Sequence, residues 1–332
     1  MKLTSEQIKN VTVGASHVTF EDGLYKFFRY TDREYKTESK MNMLIPAGIQ
    51  LYFKTDGNIL NLKVETRAID VPCTYFSFDI IVNGRLAGTI QNAAEEDLKG
   101  NYGYVKFPLG KFQGEFELGK GEKTVRIVLP HSTAAYIEEV EITGATYIEP
   151  VKRNKTLVAY GDSITQGYFG VHPSKTYAVR IADALDAELY NKAFGGAGFS
   201  PNLVEASDGI RADYVIVAYG TNDWGGYDKD FMRKNTQEFF CNIQKIYPDT
   251  PTYVITPIWR SDWEKEKKGG LFSDVENTIT EIFSQAENVT IVPGRDLVPH
   301  DTSLFGDLWL HPGDKGMEYY YNNLIKFITK EM

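Results

Sequence analysis

The chain has 332 residues, beyond the length at which one hydrophobic core usually keeps growing, and its 42% apolar content is enough for two. Asp and Glu outnumber Lys and Arg by 45 to 36, and the resulting net charge of −9 argues against nucleic acid as a partner. No apolar run approaches the roughly 18 residues of a membrane span, and Met1 to Gln7 lacks the apolar core of a signal peptide, so the chain is expected to be soluble and cytoplasmic, with no membrane partner.

From the start to Glu149, apolar residues recur at every second position, as in Gly48 to Lys54 and Thr124 to Leu129, the period of half-buried strands. Ile80-Ile81-Val82 and Arg85-Leu86-Ala87 flank Asn83-Gly84, a dipeptide that tolerates the positive φ angles of a two-residue hairpin turn. Gly119 to Glu122 marks a second turn between apolar runs. Short strands broken by such turns, without a long helix, predict an all-β sandwich over residues 1–149, jelly-roll-like in its connections.

The polar stretch Pro150 to Lys155 is the expected boundary, and the pattern then changes over 150–332. Strands are predicted at Thr156 to Tyr160, Glu188 to Ala193, Tyr214 to Tyr219, Thr252 to Thr256 and Val289 to Val292. Helical faces lie between them: Tyr177, Ile181 and Leu185; Phe239, Ile243, Ile246 and Tyr247; Val275, Ile279, Ile282 and Phe283. A last helix carries Met317, Tyr320, Tyr321, Leu324 and Ile328. Strict alternation implies right-handed crossovers and a five-stranded parallel sheet covered on both faces, a flavodoxin-like three-layer α/β domain whose ligands gather at the carboxyl ends of the strands. Cys73 and Cys241 fall in different domains, and both are expected to be buried and reduced.

The chemistry-bearing residues sit where that sheet would present them. The first strand runs into Gly161-Asp162-Ser163-Ile164-Thr165-Gln166-Gly167. A serine just past a parallel strand, at a helix start, projects its hydroxyl over the sheet edge while its own N–H faces the same space. Taken alone, the same serine reads more readily as a helix N-cap.

Gly-Asp-Ser-Ile-Thr-Gln-Gly resembles the first block of the GDSL, or SGNH, hydrolase superfamily, and three further blocks follow in the order of that family. The resemblance makes Ser163 the nucleophile. In Asn191 to Gly196 it makes Gly196 an oxyanion donor, with Gly195 as the alternative one residue away. In Gly220-Thr221-Asn222-Asp223 it makes Asn222 the third donor beside the Ser163 N–H, and in His311-Pro312 it makes His311 the base. The family's aspartate stands three residues before the histidine, a place occupied here by Leu308. Asp307 stands four before, so either a one-residue bulge brings it to the imidazole or a Ser163–His311 dyad operates. The sandwich together with Gly48 to Gly57 is similar, more loosely, to two-domain bacterial esterases that include carbohydrate acetyl esterases. That likeness implies release of short acyl groups, acetyl foremost, from a small-molecule or oligosaccharide ester through an acyl-enzyme. The alternatives are a thioesterase or lysophospholipase of the same superfamily, or a carbohydrate-binding protein whose hydrolase site has decayed.

Around these blocks, Trp224, Trp259 and Trp309 are candidate substrate-binding residues, and Tyr168 and Phe169 candidate pocket walls; ordinary packing is the competing reading for each. Arg260 can meet an anionic substrate group or lie at the surface, and His172 is a candidate for the mouth of the site. No His-x-x-x-His, Glu-x-x-His or Cys-x-x-Cys spacing is present, and Gly195 to Gly198 lacks the Lys-Ser/Thr of a phosphate loop, so no metal and no cofactor are expected. The oligomeric state stays open.

Overall fold

The computed structural model describes residues 1–98, 102–207 and 209–330. A capped helix, α1 (Ser5–Val11), precedes the strands β1 (Thr12–Val13), β2 (His17–Glu21) and β3 (Leu24–Phe28), and a second short helix, α2 (Asp32–Glu38), follows them. Seven strands then build most of the first half: β4 (Gln50–Thr55), β5 (Ile59–Arg67), β6 (Ser77–Val82), β7 (Arg85–Gln91), β8 (Gly110–Glu117), β9 (Lys123–Val128) and β10 (Ala134–Thr143). One antiparallel sheet has the order β2-β3-β10-β5-β8 and the other β1-β4-β9-β6-β7, with β11 (Ile148–Pro150) pairing β4. Successive strands switch sheets from β3 to β6 and again from β7 to β10, which is the jelly-roll connection. Their inner faces, including Leu51, Phe53, Leu62, Val64, Phe78 and Ile127, close over one core. At the turn from β6 to β7, Asn83 and Gly84 take φ of 48° and 77°, the positive values a two-residue hairpin needs.

The second half has strands β12 (Lys155–Gly161), β13 (Ala187–Asn191), β14 (Tyr214–Ala218), β15 (Thr252–Ile255) and β16 (Val289–Val292), all parallel, in the order β13-β12-β14-β15-β16. The helices are α3 (Ser163–Gln166), α4 (Tyr177–Ala184), α5 (Pro201–Glu205), α6 (Thr221–Gly226), α7 (Lys229–Ile246), α8 (Phe272–Phe283) and α9 (Asp314–Thr329). Period-2 side chains divide between the two faces. Leu157, Ala159 and Ile216 pack with α4 and α9, while Val158, Val215 and Val217 pack with α5, α7 and α8. Cys241 departs from expectation: it lies on the outward side of α7 and is exposed, while Cys73 is buried. Among the described residues no helix is long and apolar enough to cross a membrane.

The two halves share buried polar contacts. Arg29, just after β3, lies in the interior and donates to the carbonyls of Asn191 (2.9 Å), Ala193 and Ile45 (2.5 Å each). Lys192 donates to the Arg29 carbonyl and to the Glu34 carboxylate, 2.7 Å each. Asp79 of β6 accepts from Ser174 and bonds the His172 imidazole at 3.0 Å. These contacts fix the segments after β13 and α3, from which the cleft is built.

Candidate active site

Strand β12 ends at Gly161, and Asp162 caps α3 by accepting from the Ile164 N–H at 2.9 Å. Ser163 is therefore the first helical residue, and its N–H is one of those that a helix leaves without an intrahelical acceptor. Its hydroxyl lies 2.8 Å from Nε2 of His311, a residue 148 positions away. The other ring nitrogen, Nδ1, is 2.7 Å from Oδ2 of Asp307. Burial pushes the Asp307 carboxyl up, but the hydrogen bond and charge of His311 and the backbone donors outweigh it, and the group stays ionised below its ordinary range.

The spacing of four between Asp307 and His311 is accommodated by Leu308, which takes φ 58° and turns its side chain outward. That left-handed residue is the bulge. It lets Asp307 Oδ1 accept from the N–H groups of Trp309, Leu310 and His311 at 2.9, 2.7 and 3.0 Å while Oδ2 holds the imidazole. The loop is closed by Gly306 donating to the His311 carbonyl at 2.8 Å.

Gly196 and Asn222 face the same cleft as Ser163 and His311. Gly195 donates its N–H to Gln166 Oε1 at 2.8 Å, so of the two candidate glycines it is the one already engaged. Gly196 has φ 79°, a backbone state that suits glycine, and open space where a Cβ would project. Asn222 uses one amide hydrogen on the Ala197 carbonyl at 2.9 Å, which orients the group and leaves its second hydrogen for the cleft. The structure thus brings Ser163, His311, Asp307, Gly196 and Asn222 to one place.

The cleft measures ≈ 400 Å³ and is lined from both halves of the molecule. Asn42, Asp70, Val71, Pro72 and Tyr104 come from the first half, and Gln166, Phe169 and Trp309 from the second. The first-half liners carry no motif, and only their long-range packing reveals them. Asn42 also donates to the Gly195 carbonyl at 2.6 Å, so it braces the glycine loop.

Four sequence expectations need correction. Trp224 is fully buried, its indole N–H donating to the Gly270 carbonyl at 2.8 Å, and it forms core rather than cleft. Trp259 is stacked on His300 at 5.1 Å and packed on Phe305, away from the cleft. Arg260 is no surface residue: it is buried, paired with Asp262 at 2.5 Å, and packed against the rings of Trp224 and Trp309 while lining the cleft. His172 is buried against Asp79 and lines no part of the mouth. Trp309 alone of the three tryptophans reaches the cleft.

Residues 159–319 match the GDSL-like Lipase/Acylhydrolase family. No curated protein matches the chain in sequence. Among solved structures, it is similar to the salicylyl-acyltransferase SsfX3 of a tetracycline biosynthetic pathway, with TM-score 0.81 and 19% identity over 100% of this chain and 97% of that one. A Bacteroides ovatus protein described as a GDSL-like lipase gives 0.74 and 18%, over 98% and 96%. A family two carbohydrate esterase of Cellvibrio japonicus gives 0.63 and 17%, over 98% and 96%. At these identities the likeness is one of fold, and it extends over both halves of the molecule.

Proposed function

We propose that the chain is an ester hydrolase of the GDSL-like lipase and acylhydrolase family, which residues 159–319 match, and that Ser163 attacks short acyl esters, acetyl esters of carbohydrates foremost, through an acyl-enzyme. The observation that carries this reading is the continuous chain from Ser163 Oγ through His311 to Asp307 at 2.8 and 2.7 Å, opening on a cleft. As Oγ attacks the carbonyl carbon, His311 Nε2 takes the hydroxyl proton, and Asp307 steadies the imidazolium at Nδ1. The N–H groups of Ser163 and Gly196 and the Asn222 amide meet the developing oxyanion, each worth on the order of 3 kcal/mol of barrier. His311 then returns the proton to the leaving alcohol, and water repeats the sequence on the acyl-serine.

The carbohydrate part of the reading is supported by the fold shared with family two carbohydrate esterases and by the flat faces of Tyr104 and Trp309 on the cleft. The ordered Ser-His-Asp arrangement argues against a decayed, purely carbohydrate-binding protein.

Labelling of the full chain with a fluorophosphonate, followed by peptide mapping, tests the chemistry without a substrate guess. The label is expected on Ser163, and Ser163→Ala is expected to bring 4-nitrophenyl acetate hydrolysis down to background. Persistent turnover in Ser163→Ala would sink the assignment. Side-by-side rates on acetylated oligosaccharides, acyl-CoA and long-chain esters test the substrate class, with the first expected to be fastest.

A further inference from the structure

The loop leaving the nucleophile helix carries a conformational oddity. Gly167 ends α3 at φ 107°, and two residues on, Phe169 takes φ 68°, a left-handed state that a bulky side chain rarely adopts. Such strain persists only where the surroundings over-determine it. Those surroundings come from the jelly-roll half and from the loop of His311. The Tyr102 hydroxyl donates to the Phe169 carbonyl at 2.6 Å, and the neighbouring Tyr168 hydroxyl accepts from the Cys73 N–H at 3.0 Å. Gly103 lies so close that a Cβ there would fall 1.7 Å from the tip of the Phe169 ring, and one on Gly306 would fall 2.7 Å from the Phe169 carbonyl oxygen. Glycine at both positions is what gives the ring and its backbone room.

The result of this confinement is that the Phe169 ring lies flat on the His311 imidazole, with centroids 4.8 Å apart and planes 17° from parallel. Tyr168 meets the same imidazole edge-on at 5.9 Å. Hydrogen bonds at ring nitrogens, such as those to Asp307 and Ser163, are strongest in the imidazole plane. They fix its ends but leave it free to tilt about the line that joins them.

We propose that Phe169 is a positioning residue: held by Tyr102 and Gly103 of the jelly-roll half, its ring stops that tilt and keeps Nε2 aimed at the Ser163 hydroxyl. The inference rests on the reading of Ser163 and His311 as nucleophile and base. The aromatic face also suits the positive charge that the imidazole acquires during attack. Through this stack the first half of the molecule acts on proton transfer without touching the reacting atoms.

Three variants of the full chain test the idea, each checked for a wild-type melting transition. Phe169→Leu keeps an apolar side chain and removes the flat face. Phe169→His keeps a flat ring, whereas tyrosine would drive its hydroxyl into Gly103. Gly103→Ala displaces the ring from the far side. The readouts are the fluorophosphonate labelling rate of Ser163 and, for 4-nitrophenyl acetate, kcat and KM separately. Phe169→Leu is expected to slow labelling and kcat at least tenfold with KM within threefold, Phe169→His to recover most of that loss, and Gly103→Ala to lower kcat. A Phe169→Leu kcat within twofold of wild type, a loss confined to KM, or no recovery in Phe169→His would overturn the proposal. If Phe169→Leu fails to fold, Gly103→Ala decides, and an unchanged kcat there overturns it. Absence of Ser163 labelling in the wild-type protein would instead sink the esterase reading.

Discussion

Asp307 shows how one side chain can serve two masters. Its Oδ1 organises a turn through three backbone N–H groups, while its Oδ2 selects the imidazole tautomer. Asp307→Asn separates the duties, because the amide oxygen can still accept from the turn while its NH2 faces Nδ1 and favours the wrong tautomer. The variant is expected to keep its melting temperature within a few degrees and to lose about 10³ to 10⁴ in kcat, measured on 4-nitrophenyl acetate. Asp162 behaves differently. Full burial, with the nearby Asp223 carboxylate adding to it, raises its pKa from 3.8 to about 7. A folded-state pKa above the unfolded one means the folded protein holds a proton that the unfolded chain releases. The contribution of Asp162 to stability is then fully present below about pH 4 and is lost as pH rises through about 7. Asp162→Asn is expected to flatten that decline in urea unfolding followed across this range, and an unchanged slope would contradict the assignment.

At the scale of elements, the functional groups lie where parallel strands stop: Ser163 after β12, Gly196 beyond β13, Asn222 after β14. Those positions were legible because each strand announces itself by a short apolar run, and the motif residues fall just past its end. The turn before His311 was not legible in the same way. Leucine carries no signal for a left-handed backbone, so the spacing of four left triad and dyad equally open until Leu308 was seen at φ 58°. Leu308→Asn, which tolerates that conformation, is expected to match or slightly exceed wild-type stability. Leu308→Val, β-branched, is expected to cost about 1–2 kcal/mol and to lower kcat, with chemical denaturation and steady-state rates as the measurements. Trp224, Trp259 and Arg260 depart from expectation for a related reason. Hydrophobic pattern locates a residue on an element, but only the packing of α6 against the segment around Gly270 decides that Trp224 points inward.

For the whole molecule, the division into a jelly roll and a parallel α/β sheet could be read from a change of period, from two to alternating strand and helix. What periodicity does not carry is how the halves meet, since every contact that builds the cleft wall joins residues far apart in sequence. Arg29 is the test of that junction. Its guanidinium is fully buried, and desolvation lowers its pKa, yet it serves the carbonyls of Asn191 and Ala193 directly below the Gly196 loop. Arg29→Met is expected to cost about 3 kcal/mol or more by stranding those acceptors. Activity is expected to fall further than stability alone explains, which rates and melting measured on the same preparation will show.

The buried anchorage of the Asn191 to Gly196 segment has a practical corollary for anyone who would cut this gene. A fragment beginning near residue 150 would contain Ser163, His311, Asp307 and both proposed oxyanion donors beyond Ser163, yet its glycine loop would have lost Arg29 and Asn42, and its Phe169 ring would have lost the shelf formed by Gly103. The catalytic inventory is separable; the tolerance with which it is held is not, so the two halves are expected to be inherited, exchanged and engineered only as a single cassette.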